Sequence, residues 1–287
     1  MKLLRFSYDN KIHLGLLKKD KIFFMNNYNL SKNFDDMLDF VRNHKKEDLD
    51  ELKKEIGEFV SIDDIQFLSP FEHTAHDIIC VGLNYKKHVD EAKSSLDTKE
   101  AKYATYFSKR AEKISFHKST ILLDENIDQA MDYETELGVI ISREGKNIDK
   151  DDALDYVFGF TIVNDFSSRN LQKNHGQWFK VKSLDQYTSM GPYIVTKDEF
   201  NYPLNLDLKT KINGEIRQDS NTRYMIRDVN KLIFELSKGL TLVPGDIIAT
   251  GTPEGVGMGF SPEKFLKKGD KVESYIEKIG SLINYIE

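Results

Sequence analysis

Two acidic residues, Glu134 and Glu136, stand two positions apart beside an apolar run and could hold a metal ion. Residues 137–141 are apolar and largely β-branched, which predicts a buried strand. Alternate side chains of a strand point to the same face, so the two Cα atoms should lie about 6–7 Å apart. Two buried like charges are costly unless a cation lies between them. A divalent cation would satisfy this pattern, and so would a strand whose polar end simply reaches solvent.

Two further sets of residues could take part in the same chemistry. Asp165 follows a second apolar run at 157–163, so it could be a third oxygen ligand or a helix-capping aspartate. His88 and Glu91 are three residues apart on a predicted helix and therefore share a face. The carboxylate could orient the imidazole as a general base, although an exposed His–Glu pair has the same spacing.

The composition narrows the class of protein. The chain has 287 residues, of which 39% are hydrophobic and 31% charged, with a net charge of −6. This balance argues against a broad basic face for nucleic acid. The single cysteine, Cys80, excludes an internal disulfide. No apolar run approaches the roughly 20 residues of a membrane span, and residues 1–10 lack a signal-peptide core. We therefore expect a cytoplasmic protein that binds neither nucleic acid nor a membrane.

The elements that must position these residues are mostly strands. Residues 1–70 are predicted to form a small N-terminal α+β domain, and residues 71–287 a β-rich domain that carries the chemistry. Asn84 is expected to cap the helix that bears His88. Residues 96–118 are expected to form a partly mobile loop, and Asn213–Gly214 the turn of a hairpin. The glycine-rich loop at 250–257 lacks a dinucleotide fingerprint and fits better a backbone that approaches a small ligand closely.

Several segments, taken together, resemble the fumarylacetoacetate hydrolase family. They occur in the family's order from about residue 77 onward: VGLNYKKH at 81–88, DYETELG at 132–138, VNDFSSR at 163–169, QW at 177–178, KSLD at 182–185, GP at 191–192, INGE at 212–215, and PGD at 244–246 through TGTPEGVG at 250–257. The resemblance implies a mixed β-sheet or β-roll catalytic domain within a β-rich α+β fold, and a homodimer. It also implies small 2-oxo or 2,4-dioxo acid substrates.

The same resemblance assigns roles to individual residues. The family's metal ligands fall on Glu134, Glu136 and Asp165. One ion per subunit, Mg²⁺ or Mn²⁺, suits this all-oxygen set, and Ca²⁺ could replace it in a crystal. The remaining matched positions are catalytic (His88, Glu91 and Lys182) or contact substrate oxygens (Arg169, Gln172 and Thr252).

These roles lead to one expected activity and two alternatives. The main expectation is a hydrolase that cleaves a C–C bond in an acylpyruvate-like or 2,4-dioxo acid, with a metal-stabilised enolate and a water activated by His88 and Glu91. The first alternative is decarboxylation or keto–enol isomerisation (tautomerisation) of an oxaloacetate- or 2-hydroxymuconate-like acid at the same site. The second alternative is a catalytically silent protein whose metal is structural.

Overall fold

The computed structural model describes residues 1–54, 56–95 and 103–287, and β-strands dominate these ranges. The strands are β1 (Lys2–Tyr8), β2 (Lys11–Lys18), β3 (Lys21–Phe24), β4 (Phe59–Ser61), β5 (Gln66–Phe67), β6 (Ile78–Gly82), β7 (Thr105–Lys109), β8 (Ile114–Ser115), β9 (Ser119–Ile121), β10 (Met131–Asp132), β11 (Thr135–Ile141), β12 (Val157–Asp165), β13 (Ser167–Ser168), β14 (Thr188–Thr196), β15 (Asp207–Ile212), β16 (Glu215–Asn221), β17 (Ile247–Ala249), β18 (Lys271–Ile276) and β19 (Gly280–Ile286).

The helices are short. They are α1 (Met37–Asn43), α2 (Lys46–Leu52), α3 (Lys86–Ser95), α4 (Arg169–His175), α5 (Phe179–Lys182) and α6 (Val229–Ser237), together with 3₁₀ turns at Met25–Asn27, Ile62–Asp64, Lys150–Tyr156, Lys197–Glu199, Thr222–Tyr224 and Gly257–Gly259. Short helices beside mixed sheets that hold most of the regular structure confirm the predicted β-rich α+β class. Among the described residues, no helix combines the length and apolar character needed to cross a membrane.

A twelve-stranded mixed sheet carries the central strands. Its order is β4-β3-β2-β1-β14-β12-β11-β17-β6-β7, with β5 beside β1 and β8 beside β14. Most neighbours are antiparallel, whereas β6 runs parallel to β17 and β8 parallel to β14. Every residue of β11 and β12 is buried, as their apolar, β-branched sequences predict. These two strands therefore lie inside the molecule, and groups at their ends are shielded from water.

A five-stranded sheet, ordered β16-β15-β18-β19-β9, lies against this core. Its first two strands form the predicted hairpin, in which Asn213 and Gly214 both adopt positive φ, as a tight two-residue turn requires. Contact with β11 is partly polar, since the Thr135 hydroxyl lies 2.6 Å from both Thr210 Oγ1 and Ser274 Oγ. These buried hydrogen bonds fix the start of β11 relative to the second sheet.

The large sheet runs across the predicted boundary at residue 70. Strand β1 pairs antiparallel with β14, so that Leu3 lies opposite Ile194. Leu3, Leu4 and Phe6 are fully buried. The division into residues 1–70 and 71–287 stays a prediction, and the N-terminal strands share their hydrogen-bond ladder with the rest of the chain.

The expectation of a loop at 96–118 is wrong for part of this segment, which forms strands β7 and β8. Residues 96–102 lie outside the described residues, whereas β7 pairs antiparallel along β6, with Phe107 opposite Cys80. Alternation supplies the physical reason, since Lys109 is fully buried while the preceding Ser108 is exposed. Strand β7 thus delivers a lysine to the interior that the expected loop would have left on the surface.

The residue expected to cap α3 has another task. Asn84 is fully buried, and its amide donates hydrogen bonds to Arg227 O (3.0 Å) and Thr250 O (2.8 Å). Its Oδ1 accepts from Arg227 N at 2.9 Å. The side chain therefore ties the turn between β6 and α3 to two distant loops.

Candidate active site

Three carboxylates meet where β11 begins and β12 ends. Ligand atoms from Glu134, Glu136 and Asp165 all lie within 4.8 Å of one another, and all three side chains are buried. The antiparallel register brings them together, because Glu136 lies opposite Val163 and Thr135 opposite Asn164. Asp165 N also donates to Glu134 O at 2.9 Å. The structure thus brings together the three residues that the sequence predicts as metal ligands.

Two buried lysines partly neutralise this cluster. Lys182 Nζ lies 2.6 Å from Glu134 Oε2 and 2.8 Å from Asp165 Oδ2. Lys109 Nζ lies 2.6 Å from Asp165 Oδ1 and 3.2 Å from the carbonyl oxygen of Phe166. Lys182 comes from the end of α5 and Lys109 from the end of β7, so each cation reaches the cluster from a separate element.

Arg169, at the start of α4, links the cluster to a fourth buried carboxylate. Its Nη2 lies 2.5 Å from Glu134 Oε1, and its Nε lies 2.9 Å from Asp132 Oδ2. Its Nη1 donates to Gln172 Oε1 at 3.1 Å. Both residues expected to contact substrate on α4 are therefore held in one network with the metal-ligand candidates.

The two glutamates of the strand end differ in acidity. Burial alone would raise the pKa of Glu134, but Lys182 and Arg169 outweigh it and hold this pKa at about 2. The pKa of Glu136 is raised well above its ordinary value by burial and by the negative charges of Asp165 and Glu134. Burial opposes the charge of Lys182, yet Asp165 and Glu134 raise its pKa above normal. A negative charge on Glu136 is therefore disfavoured unless a further positive charge lies beside it.

His88 and Glu91 form a close pair on α3. His88 Nδ1 lies 2.9 Å from Glu91 Oε2, and His88 is only 6% exposed. An ionised carboxylate can only accept, so Nδ1 donates and Nε2 is left as the basic nitrogen. The pair is thus not the exposed helical pair of the alternative interpretation, and His88 lines the same cavity as Glu134 and Glu136.

The glycine-rich loop approaches the carboxylates through its backbone. Gly251 adopts φ +92° and donates its N–H to Glu136 Oε2 at 2.8 Å. Thr252 is buried, and its hydroxyl donates to Thr135 O at 3.0 Å while accepting from Gln218 Nε2 at 2.8 Å. The loop packs closely around the site, as expected, and the Thr252 hydroxyl hydrogen is used to hold β11.

A narrow cavity joins these groups. Its free volume is only about 30 Å³, roughly the space of one water molecule, because the paired side chains fill most of the site. Phe107 and Trp178 pack edge to face with centroids 5.1 Å apart. The lining residues are Val81, Gly82, Leu83, His88, Ala92, Phe107, Glu134, Glu136, Arg169, Gln172, Trp178, Lys182, Thr252 and Met258.

The donor set fits a divalent cation. Three converging carboxylates supply hard oxygen ligands, the type that Mg²⁺ and Mn²⁺ prefer. Like-charge crowding around Glu136 is also relieved by a positive ion at that point. The β-rich fold, the buried carboxylate triad, the flanking lysines and the His–Glu pair are typical of one class: enzymes with a carboxylate site that can hold a divalent ion.

Two residues of this network were not singled out from the sequence. Lys109 lies in the segment expected to be a loop, and its partner Asp165 is 56 positions away. Asp132 stands at the start of the Asp-Tyr-Glu-Thr-Glu run, where only the two glutamates attracted a metal interpretation. The β-forming residues Thr105, Tyr106 and Phe107 were the available signal for a strand here, but they do not indicate that Lys109 is buried.

Comparisons with known proteins agree with the class. The model of the fumarylacetoacetate (FAA) hydrolase C-terminal family matches residues 77–287. An oxaloacetate tautomerase, YisK, from Bacillus subtilis (strain 168) is 44% identical over 233 residues, covering 81% of this chain and 77% of that protein.

Two solved structures cover 100% of this chain and 99% of their own. The fumarylacetoacetate hydrolase of Exiguobacterium antarcticum has a TM-score of 0.85 at 34% identity. A 5-carboxymethyl-2-hydroxymuconate delta-isomerase from Mycobacterium smegmatis has a TM-score of 0.78 at 27% identity. The chain belongs to the fumarylacetoacetate hydrolase family, and it is an enzyme.

Proposed function

We propose that this enzyme is a divalent-metal-dependent keto–enol tautomerase of small 2-oxo diacids, with oxaloacetate as the first substrate to test. The similar tautomerase from B. subtilis and the delta-isomerase structure support isomerisation better than the C–C bond hydrolysis that was first expected. The observation that carries the proposal is one small cavity lined by Glu134, Glu136, Lys182, Arg169 and His88, with Asp165 beside the two glutamates.

The charge of the site favours an anionic substrate once a divalent ion is bound. Four buried carboxylates face three buried cations, which leaves one negative charge when all are ionised. A divalent ion would change the sign to one positive charge, matched to an anionic ligand. The carboxylates are Asp132, Glu134, Glu136 and Asp165, and the cations are Lys109, Arg169 and Lys182.

When bound, Mg²⁺ or Mn²⁺ would supply Lewis-acid stabilisation of negative charge on the substrate's 2-oxygen. Glu134, Glu136 and Asp165 would hold the ion. Arg169 and Gln172 would orient the substrate carboxylates, and Lys182 would place a positive charge near the 2-oxygen. His88 Nε2, with Glu91 fixing the ring, would take a proton from carbon 3 while the 2-oxygen gains one. No atom is lost, so the reaction is an isomerisation.

The test follows oxaloacetate keto–enol conversion by ultraviolet absorbance with Mg²⁺, Mn²⁺ or EDTA. We expect metal-dependent turnover, a loss of about 10²- to 10⁴-fold in His88→Ala, and normal turnover in His73→Ala, an exposed control. Glu134→Gln should abolish metal binding measured by titration calorimetry. Unchanged tautomerisation in His88→Ala would refute the role of His88.

Hydrolysis is the second candidate, favoured by the 2.9 Å His88–Glu91 contact, which could also activate a water. Acetylpyruvate and related acylpyruvates test it directly, and oxaloacetate decarboxylation can be followed in the same panel. If EDTA lowers the melting temperature but no 2-oxo acid is converted with either metal, the structural-metal alternative is correct.

Three further properties are proposed on the strength of the family. We infer Mg²⁺ or Mn²⁺ as the physiological ion, a homodimer and a cytoplasmic location. Sedimentation velocity of the full chain at several concentrations measures the oligomeric state. Metal titrations that compare Mg²⁺, Mn²⁺ and Ca²⁺ measure the preference of the carboxylate site.

A further inference from the structure

Glu91 is held from two sides. One carboxylate oxygen, Oε2, accepts from His88 Nδ1 at 2.9 Å, and the other, Oε1, accepts from the backbone N–H of Gly255 at 3.0 Å. Gly255 adopts φ +94°, a conformation that glycine favours. The orientation of the His88 ring therefore depends on a backbone N–H of the glycine-rich loop, through Glu91.

Gly259 leaves the space that this carboxylate occupies. A methyl group at position 259 would overlap Oε1, Cδ and Cγ of Glu91. Gly259 does not have a positive φ, so its backbone conformation is open to any residue. The lack of a side chain at this position is therefore explained by close approach to Glu91, and not by the turn itself.

Asp132 holds the glycine-rich loop through two backbone N–H groups. Its Oδ1 accepts from Gly257 N at 2.6 Å, and its Oδ2 accepts from Met258 N at 3.1 Å. Oδ2 also accepts from Arg169 Nε at 2.9 Å. Asp132 is fully buried, so these charge-assisted hydrogen bonds are shielded from water. One carboxylate thus joins the loop that seats Glu91 to the arginine that contacts Glu134.

We propose that Asp132 and loop 255–259 act as one positioning unit for the two sides of the cavity. The loop sets Glu91 and thereby His88, and Asp132 sets the loop and Arg169 together. Gly259 is a positioning residue because its missing side chain admits the Glu91 carboxylate. This inference rests on the proposed function in one respect, namely that His88 transfers the proton.

A double-mutant cycle tests the steric part. Gly259→Ala should lower kcat for oxaloacetate tautomerisation by about 10- to 100-fold, with KM and metal affinity changed by less than about twofold. In a Glu91→Ala background the methyl group enters vacated space, so Gly259→Ala should cause no further loss. The Glu91→Ala background is itself the control, because it removes the side chain that a Cβ at position 259 would meet.

Asp132→Asn tests the coupling of the two sides. It should lower kcat and raise KM together, because the loop and Arg169 are both released, whereas Gly259→Ala should lower kcat alone. Should Asp132→Asn fail to fold, the Gly259→Ala cycle still decides the positioning role of the loop.

Several outcomes would overturn the proposal. They are full activity in Gly259→Ala, losses that multiply in the double variant, and an Asp132→Asn enzyme with unchanged KM. If the wild-type enzyme does not tautomerise any 2-oxo acid, the proposed function fails, and crystal structures then test the positioning separately. A Gly259→Ala structure that keeps His88 Nδ1 at hydrogen-bond distance from Glu91 Oε2 would contradict it whatever the activity.

Discussion

At the scale of single residues, strand spacing made Glu134, Glu136 and Asp165 candidate ligands and the family resemblance assigned them that role, but neither indicated all of their counter-charges. Glu134 and Glu136 share a strand face because they are two positions apart, and Asp165 follows a recognisable apolar strand. Lys109 could not be assigned from its neighbours, since its partner is distant in sequence and set by the sheet register. The local sequence around a buried lysine does not differ from that around a surface lysine, so only the pairing of its strand shows that it is buried.

The first prediction concerns this lysine. Lys109→Met should destabilise the metal-free protein by about 3 kcal/mol, because it leaves Asp165 buried with one positive partner fewer. Urea unfolding at pH 7 measures the effect. Lys113→Met is a matched control, since Lys113 pairs with Asp185 at 2.6 Å on the surface, and we expect little or no change. Equal effects in the two variants would show that burial of the Lys109 pair does not matter.

At the scale of elements, periodicity predicted the strands well and their connections less well. Strands β11, β12 and the β15–β16 hairpin follow apolar runs and a two-residue turn, which are local signals. The segment 105–109 was harder to assign, because its strand state depends on pairing with β6. Asn84 has the position of a helix cap, but contacts from residues 227 and 250 decide its role.

The second prediction tests that role. Asn84→Ala should lower the free energy of unfolding by about 2–4 kcal/mol, because it leaves Arg227 N, Arg227 O and Thr250 O without this partner in a buried place. Thermal and urea unfolding give the value. Asn126→Ala, at an exposed turn with a local partner in Asp124, should change it much less. A loss in Asn84→Ala as small as in the control would mean that its hydrogen bonds are replaced by water.

At the scale of the whole molecule, the sequence predicted a separate N-terminal unit, while the hydrogen bonds run across the boundary. Composition shifts and Pro70 mark the connection, but they carry no information on which strand pairs with which. Pairing of β1 with β14 is a contact between residues almost two hundred positions apart, so only the assembled sheet shows it.

The third prediction follows from this continuity. A variant limited to residues 71–287 should be unstable and prone to aggregation, because it exposes the edge of β14 and the apolar surface that Leu3, Leu4 and Phe6 cover. Circular dichroism and size-exclusion chromatography measure the outcome. A soluble, cooperatively folding 71–287 fragment would support the division at residue 70 and contradict this expectation.

The fourth prediction concerns His117, which lies between Phe67 and β19. Burial, reinforced by Lys118, lowers the pKa of His117 to about 4, and its Nδ1 accepts from Ile283 N at 3.3 Å. In the unfolded chain the pKa of His117 is near 6.5, so the unfolded state binds the proton more tightly than the folded state. The stability that neutral His117 contributes is therefore present above about pH 6.5 and is lost as the pH falls toward 4.

The difference in free energy of unfolding between pH 7 and pH 5 should therefore be smaller in His117→Gln than in the wild type. We expect the reduction to be about 1 kcal/mol, because His117 is partly exposed. Urea unfolding at both pH values measures this, with His73→Gln as an exposed control. An identical pH dependence in all three proteins would show that His117 does not contribute.

The edge strands of the twelve-stranded sheet affect how copies of the protein can associate. The order of the sheet ends at β4 on one side and β7 on the other, with lengths of three and five residues. Such short edge strands offer few unpaired peptide groups to a neighbouring chain, which disfavours extension of the sheet by strand addition. At these two edges, an association between two molecules should therefore rest on contacts between side chains and leave the hydrogen-bond ladder of this sheet unextended.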